Sequence, residues 1–374
     1  MSGGVDSSVA AALLVEQGYE VIGVMLRLWS EPKASCAVHG SIAESINRCC
    51  SVEALNDARA VAEHLGIPFY VLDAERPFKE KVVDFFIREY VAGSTPNPCL
   101  TCNRTIRFGY LSRYAVSLGV RNLATGHYAR VRRDSSGRFQ LLRGVDQNKD
   151  QSYVLSVLGQ NDLATLSFPI GAYTKAQVRA LAVERGLATA SKVESQDLCF
   201  VADGDYRRFL TEWAPQSVQP GPILDRQGRR LGTHRGLPFY TIGQRSGLGV
   251  AAARPLYVLA LDLRGNALIA GFADELGQDW LRTGPVNWVA GESLAEPLKA
   301  QVQIRYRATP VPAVVTPLSG GCTEVQFSRP IRGISPGQTA VFYDGEICLG
   351  GGVIEGSRVA IEVGDSHAGP DLLD

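Results

Sequence analysis

The chain has 374 residues, 45% of them hydrophobic, which is too long for one ordinary core and predicts two or three domains. Its 38 Lys and Arg balance 38 Asp and Glu, so no global charge announces a polyanionic partner and any nucleic-acid surface has to be a local basic patch. No apolar run of about 18 residues and no charged-then-apolar leader occurs, which predicts a cytoplasmic chain without membrane insertion; in that compartment the eight cysteines point to redox, sulfur or metal chemistry more than to a disulfide framework.

The first element is Ser2-Gly3-Gly4-Val5-Asp6-Ser7-Ser8, followed by the apolar run Val9 to Val15. Paired glycines let backbone N–H groups approach an anion, and the run reads as a helix whose positive end faces it. The loop lacks the Gly-Lys-Ser/Thr ending of a Walker A sequence. SGGxDS resembles instead the pyrophosphate loop of enzymes that cleave ATP between its α and β phosphates and adenylate a substrate oxygen. The plainer alternative is a helix-capping turn with Asp6, Ser7 or Ser8 as cap. Only Met1 precedes the loop, where a buried strand is normal; the expectation is a natural start further upstream, and weaker nucleotide binding without it.

Apolar and amphipathic segments then alternate: a strand over 19–26, a helix over 52–65, a strand over 68–72, helices over 78–91 and 107–118, and a strand over 122–128 that runs into a loop. This pattern predicts an α/β fold, a doubly wound parallel sheet over residues 1–204. Ligands collect beyond the carboxyl ends of such strands, so Met25 and Gly126 become candidate walls of an adenine pocket, with a core role the alternative for Met25. Residues 205–275, punctuated by Pro220-Gly221-Pro222 and Gly243 to Gly249, read as a small β-rich central domain. Alternating runs at 298–306 and 340–343 place an antiparallel β-barrel over 276–358, and the polar tail 359–374 reads as flexible.

Thr95-Pro96-Asn97-Pro98-Cys99-Leu100-Thr101-Cys102 is a two-proline loop carrying Cys-x-x-Cys before a helix, a position that lowers a thiol's pKa. A third cysteine follows in Ser195-Gln196-Asp197-Leu198-Cys199-Phe200. Taken alone, the Cys-x-x-Cys fits redox, zinc or iron–sulfur chemistry. Adjacent Cys49 and Cys50 read as structural; Cys36, Cys322 and Cys348 have no partner pattern, and Cys348 reads as buried.

Eight stretches in order, SGGVDSS at 2–8, NPCLTCNRTIRFG at 97–109, ATGHYAR at 124–130, KDQSY at 149–153, SQDLCF at 195–200, GLPFYTIGQRSGLG at 236–249, RYRATPVPA at 305–313 and SPGQTAVFYDGEICLGGG at 335–352, resemble the tRNA-specific 2-thiouridylases of the MnmA type. That resemblance implies a sulfurtransferase that uses ATP and Mg2+ to adenylate the C2 oxygen of the wobble uridine, position 34, and replaces it with sulfur. It implies that Ser2 to Ser8, Met25 and Gly126 contact ATP, with Asp6 nearest the magnesium. Cys199 would carry a persulfide received from a donor protein. Cys102 would complete the transfer, by releasing sulfide or by forming a disulfide with Cys199. Asn97, Pro98 and Cys99 would line the tRNA-contacting loop and His127 lie beside the flipped base, with Lys149, Asp150, Gln151, Arg305, Tyr306 and Gln338 on the anticodon arm. Many members carry Asp where this chain has Cys99, so Cys99, Cys102 and Cys199 could instead hold a [4Fe–4S] cluster with one open iron. A C–N ligase using the same loop, and an RNA-binding or iron–sulfur carrier protein with a vestigial loop, are the readings from other classes.

Overall fold

The computed structural model describes residues 1–31, 51–193 and 198–357. Cys36, Cys49, Cys50, Ser195 to Asp197 and the tail 359–374 lie outside the described residues. Helix α1 (Val5–Glu16) is apolar nearly all round, and Val5, Val9, Ala10, Ala12 and Leu13 pack with Tyr128, Ile170 and Val178. A helix without a polar face has to be central. Strand β1 (Gly23–Arg27) pairs in parallel with β2 (Phe69–Asp73), which follows α2 (Val52–His64), a helix started by the Ser51 side chain accepting the Ala54 N–H.

The helix predicted over 78–91 begins earlier, as α3 (Glu75–Phe78), and continues through a π-helical stretch, Lys79–Val83, into α4 (Asp84–Val91). The next helix starts at Pro98 instead of Arg107: α5 (Pro98–Cys102) runs through π-helical Asn103–Tyr110 into α6 (Leu111–Ser117). Asn97 accepts the Cys99 N–H at 3.1 Å and proline occupies the first helical position, where its missing N–H costs nothing, so the two-proline loop is itself the helix start. The strand predicted over 122–128 shortens to β3 (Leu123–Ala124), with Thr125 to His127 leaving the ladder.

Hairpin β4 (Ala129–Arg133) and β5 (Phe139–Arg143) comes next, then α7 (Ser152–Leu155), α8 (Gln160–Leu163), β6 (Leu166–Ser167), which is parallel to β3, and α9 (Lys175–Glu184). The parallel strands therefore stand as two pairs, β1–β2 and β3–β6.

Helix α10 (Tyr206–Trp213), capped by Asp205, leads into a four-stranded sheet of β7 (Gly221–Leu224), β8 (Arg230–His234), β9 (Tyr257–Asp262) and β10 (Ala267–Gly271), in the order β8-β7-β10-β9. The last unit holds β11 (Gln278–Thr283), β12 (Asn287–Trp288), β13 (Leu298–Gln303), β14 (Val311–Pro317), β15 (Thr323–Ile331), β16 (Thr339–Asp344) and β17 (Ile347–Ser357). Its order β11-β15-β14-β13-β16-β17 closes where β17 pairs back onto β11, which removes exposed strand edges. Val302, Val315, Val325, Phe342 and Ile354 fill the interior. The first residues of β17 also pair with β5, Ile347 opposite Leu142, so the hairpin of the first unit extends the barrel's sheet. Among the described residues no helix is long and apolar enough to cross a membrane.

Candidate active site

The glycine pair at the start of α1 divides into two different roles. Gly3 has φ +67°, and a Cβ there would lie 2.2 Å from the Ala54 carbonyl oxygen; its lack of a side chain is required by the fold. Gly4 has φ −103°, which any residue adopts, and a Cβ there would meet only Ser2 Oγ at 3.6 Å. No described protein atom demands glycine at position 4, which leaves open space beside the helix end. No side chain caps α1, while Ser7 and Ser8 hydroxyls both donate to the Gly4 carbonyl at 3.0 Å, holding the loop and leaving the first N–H groups pointing out of the helix end. Gly126 stands directly against this turn: a Cβ on it would lie 2.7 Å from the Asp6 carbonyl carbon and 2.8 Å from the Ser7 nitrogen. Gly126 and the loop are thus brought together. Met25 is buried on β1 with Ala54 and Ala58, so its side chain is part of the core beneath the loop.

Asp6 is the centre of a network that the sequence did not reveal. Lys175, the first residue of α9, places its ammonium 2.8 and 2.9 Å from the two carboxylate oxygens of Asp6, and the Tyr128 hydroxyl donates to the same carboxylate at 2.7 Å. Tyr128 is in turn gripped by Gln151, which accepts its N–H at 2.9 Å and donates its own N–H to the Tyr128 carbonyl at 2.9 Å. The pairing of position 6 with position 175 has no signal in the sequence, because the residues are 169 apart.

Cys102 is buried and Cys99 exposed on the same short helix, α5; Cys199 is exposed. The thiol-bearing segments share one core. Cys102 and Ile106 pack in a cluster with Phe200 and Val201, and Phe200 lies in edge-to-face contact with Phe78 and Phe86, with ring centroids at 6.0 and 5.2 Å. Glu31, at the end of the first described stretch, fixes the same segment: its buried carboxylate accepts from Ala202 N at 3.0 Å, Arg208 at 2.7 and 3.0 Å, and Trp213 Nε1 at 3.2 Å. Burial alone would raise the Glu31 pKa, but the donors from Arg208, Ala202 and Trp213 outweigh it and hold the carboxyl below its ordinary value. The three-cysteine set that the sequence allowed is not assembled as a cradle, for among the described residues no group of three His, Cys, Asp or Glu side chains converges to hold a metal.

His127 is buried between Phe108 and Phe168, with Nδ1 2.7 Å from the Thr125 hydroxyl. Burial, with the nearby Arg107 charge, lowers its pKa to about 3, so the ring is neutral where it packs against the two aromatic side chains. The expected RNA residues divide. Asp150 is committed internally, to Arg143 at 2.8 Å and to the N–H groups of Gly144 and Ser152 at 3.0 Å each, and Gln151 Oε1 accepts the Tyr128 N–H. Gln338 donates to the Thr95 carbonyl at 2.7 Å, while Thr95 donates its N–H to Pro336 O and bonds the Thr241 hydroxyl at 3.1 Å, so all three units hold the strap that leads to Asn97 and Cys99. The strand predicted to reach Tyr306 ends at Gln303, and Arg305 and Tyr306 lie in the following turn, with Tyr306 against Tyr153 and Arg307 over its ring at φ +63°.

Three family models match the chain: "tRNA methyl transferase HUP domain" over residues 1–203, "tRNA methyl transferase PRC-barrel domain" over 207–271 and "Aminomethyltransferase beta-barrel domain" over 278–354. The curated tRNA-specific 2-thiouridylase MnmA of Roseiflexus castenholzii is 51% identical, over 95% of this chain and 97% of its own length. That of Chloroflexus aggregans is also 51% identical, over 95% and 96%, and that of Heliobacterium modesticaldum 48% identical, over 95% and 91%. A solved structure, the U34-tRNA thiolase NcsA from Methanococcus maripaludis with its [4Fe-4S] cluster, is matched at a TM-score of 0.32 and 20% identity over 57% of this chain and 65% of that one, too low a likeness to bear on the chemistry here. On full-length identity near one half and an unbroken run of matching units, the chain belongs to the MnmA family of tRNA-specific 2-thiouridylases.

Proposed function

We propose that this chain performs its family's reaction, the ATP-dependent conversion of the wobble uridine of tRNA to 2-thiouridine, by a persulfide route through Cys199 and Cys102. The single observation that carries the route is the shared core of Cys102, Phe200 and Val201, which seats the Cys199 segment on the helix that bears Cys102. The loop from Ser2 to Ser8 receives the phosphates, with the N–H groups of α1 aimed at the anion and Gly4 leaving room for it. Magnesium, when bound, neutralises pyrophosphate charge; Asp6, a carboxylate on the rim of the loop, suits a cation that keeps several waters and binds mainly through phosphate. His127, packed with Phe108 and Phe168, lies beside the extruded base, with Asn97, Pro98 and Cys99 on the adjoining loop and Lys149, Arg305 and Tyr306 toward the anticodon arm. Asp150, Gln151 and Gln338 serve the RNA surface by holding its backbone.

The uridine C2 oxygen attacks the α-phosphorus and pyrophosphate leaves, which turns a poor leaving oxygen into AMP. The terminal sulfur of the Cys199 persulfide, supplied by a donor protein, attacks C2 and AMP departs, leaving uridine joined to Cys199 through a disulfide. The Cys102 thiolate then attacks the Cys199 sulfur, freeing 2-thiouridine and forming a Cys102–Cys199 disulfide, which a cellular dithiol reduces before the next turnover. Burial of Cys102 beside the arriving segment restricts its thiol to that partner.

The test is thiolated nucleoside measured by mass spectrometry with ATP and a persulfide donor, together with iron and acid-labile sulfide after anaerobic purification. Cys102→Ser and Cys199→Ser are expected to abolish product while Cys99→Ser retains it, with iron well below one atom per chain. Near-stoichiometric iron lost in Cys99→Ser would replace this route with hydrosulfide on a three-cysteine cluster.

A further inference from the structure

Lys175 is in an unusual place for a lysine. It is the first residue of α9, where a cation opposes the helix dipole, and its side chain is only 11% exposed. The start of α9 is secured without it, by the Thr174–Gln177 capping box and by Asp146 accepting the Lys175 N–H at 2.9 Å. Helix stability therefore does not explain the residue. Its ammonium is delivered instead to the mouth of the phosphate loop, on both oxygens of Asp6, over the face of Tyr128 at 5.8 Å.

The local charge balance points to an anion. The α1 terminus carries roughly half a positive charge that no side-chain cap absorbs, and the ammonium of Lys175 stands beside it. An anion on the outward N–H groups of α1 lies within reach of an ammonium already docked on the second residue of that helix. A magnesium ion taken up by Asp6 would compete for the carboxylate oxygens that Lys175 now occupies, and phosphate oxygens are the acceptors then available to it.

We infer that Lys175 is a phosphate-binding residue of the reaction: its ammonium, held by Asp6 at the mouth of the loop, engages the β- and γ-phosphates when Mg·ATP binds and stabilises the departing pyrophosphate. This rests on the nucleotide reading of the Ser2–Ser8 loop. Lysine suits the task as a compact point charge on a flexible stem, able to change partners without rebuilding the site. Tyr128, which keeps its hydrogen bond to Asp6, holds the carboxylate in place during the exchange.

The experiment compares the full chain with Lys175→Met and Lys175→Arg by calorimetry against Mg·ATP, inorganic pyrophosphate and AMP, alongside thermal unfolding. Lys175→Met is expected to weaken ATP and pyrophosphate 10- to 100-fold, to leave AMP within about twofold, and to raise KM for ATP while KM for tRNA is unchanged. Lys175→Arg should recover most of the pyrophosphate affinity. Wild-type affinity for pyrophosphate in Lys175→Met, or an equal loss for AMP and pyrophosphate, overturns the assignment; the second result would mark Lys175 as a prop for the pocket. If Lys175→Met does not fold, a more than tenfold pyrophosphate loss in folded Lys175→Arg also overturns it, because a retained charge should suffice. Failure of the unaltered protein to bind ATP would instead refute the nucleotide reading of the loop, and the assignment with it.

Discussion

Gly4→Ala separates a ligand's demand for glycine from the fold's. The new methyl would have Ser2 Oγ as its nearest protein neighbour at 3.6 Å, ordinary van der Waals contact, and the backbone at φ −103° and ψ 158° accepts alanine. Two small terms bear on stability. Alanine is a poorer N-cap than glycine by about 0.5–1 kcal/mol, and it restricts the unfolded chain, which returns about 0.4–1 kcal/mol. They offset to within about 0.5 kcal/mol, a melting shift under roughly 2 °C for a chain of this size. ATP binding has no such compensation. A methyl forced between the α1 terminus and a phosphate incurs the overpacking cost of about 1–3 kcal/mol, a Kd raised roughly 5- to 150-fold. Scanning calorimetry and ATP titration on the same preparation test both halves. Gly3→Ala is the contrast, since its Cβ would sit 2.2 Å from a carbonyl oxygen at positive φ and should cost the fold itself. Wild-type ATP affinity in Gly4→Ala, or a melting loss comparable to that of Gly3→Ala, would refute the reasoning.

His127 has a folded pKa of about 3 against roughly 6.5 unfolded, so the unfolded chain binds the extra proton; the stabilisation is complete above pH 6.5 and is lost as pH falls toward 3, at about 1.4 kcal/mol per pH unit. His127→Gln should therefore lose about 2–3 kcal/mol less than the unaltered protein between pH 7 and 4.5, in urea unfolding at each pH. Arg208→Met leaves the Glu31 carboxylate, 5% exposed, without its counter-charge, and should cost about 2–4 kcal/mol. Adding Glu31→Met should recover at least half of that in the same unfolding assay, since a paired apolar replacement removes the stranded charge. Gln338→Ala breaks the bond to Thr95 O and should cost about 1 kcal/mol of stability, with thiolation slowed and ATP affinity unchanged in titration.

How much of this was legible follows from the range of the interactions. Local signals carried well: paired glycines before an apolar helix, Pro98 with Cys99 and Cys102, and turn residues that break the second half into short strands. Even so, the helix over 98–102 was concealed, because two prolines read as a loop until Asn97 is seen capping it. The β4–β5 hairpin was missed for another reason. Its edge is completed by Cys348 and Ile347 of the barrel, some 200 residues away, and no local periodicity announces a strand whose partner is that distant.

Among the candidate site residues, those proposed to carry the chemistry were nameable from motifs, whereas side chains that hold them in place, such as Lys175 on Asp6, were not. Asp150, Gln151 and Gln338 lie in motif stretches and read as RNA contacts; in the fold Asp150 also bonds Arg143, Gly144 and Ser152, Gln151 Oε1 accepts the Tyr128 N–H, and Gln338 Nε2 donates to the Thr95 carbonyl. The distinction has a mechanistic consequence at Thr95. This residue is tied to Gln338 and Pro336 of the barrel and to Thr241 of the central unit, while the next turns of chain carry Asn97, Cys99 and Cys102. On the proposed reading, an RNA arm leaning on the barrel or the central unit would press on the thiol-bearing helix through hydrogen bonds of 2.7 to 3.1 Å, without touching a cysteine. If the small β units act on the site by this route, a catalytic domain cut at residue 204 should still bind ATP in titration while its Cys102 reacts with a thiol reagent faster than in the full chain; equal rates would refute the coupling.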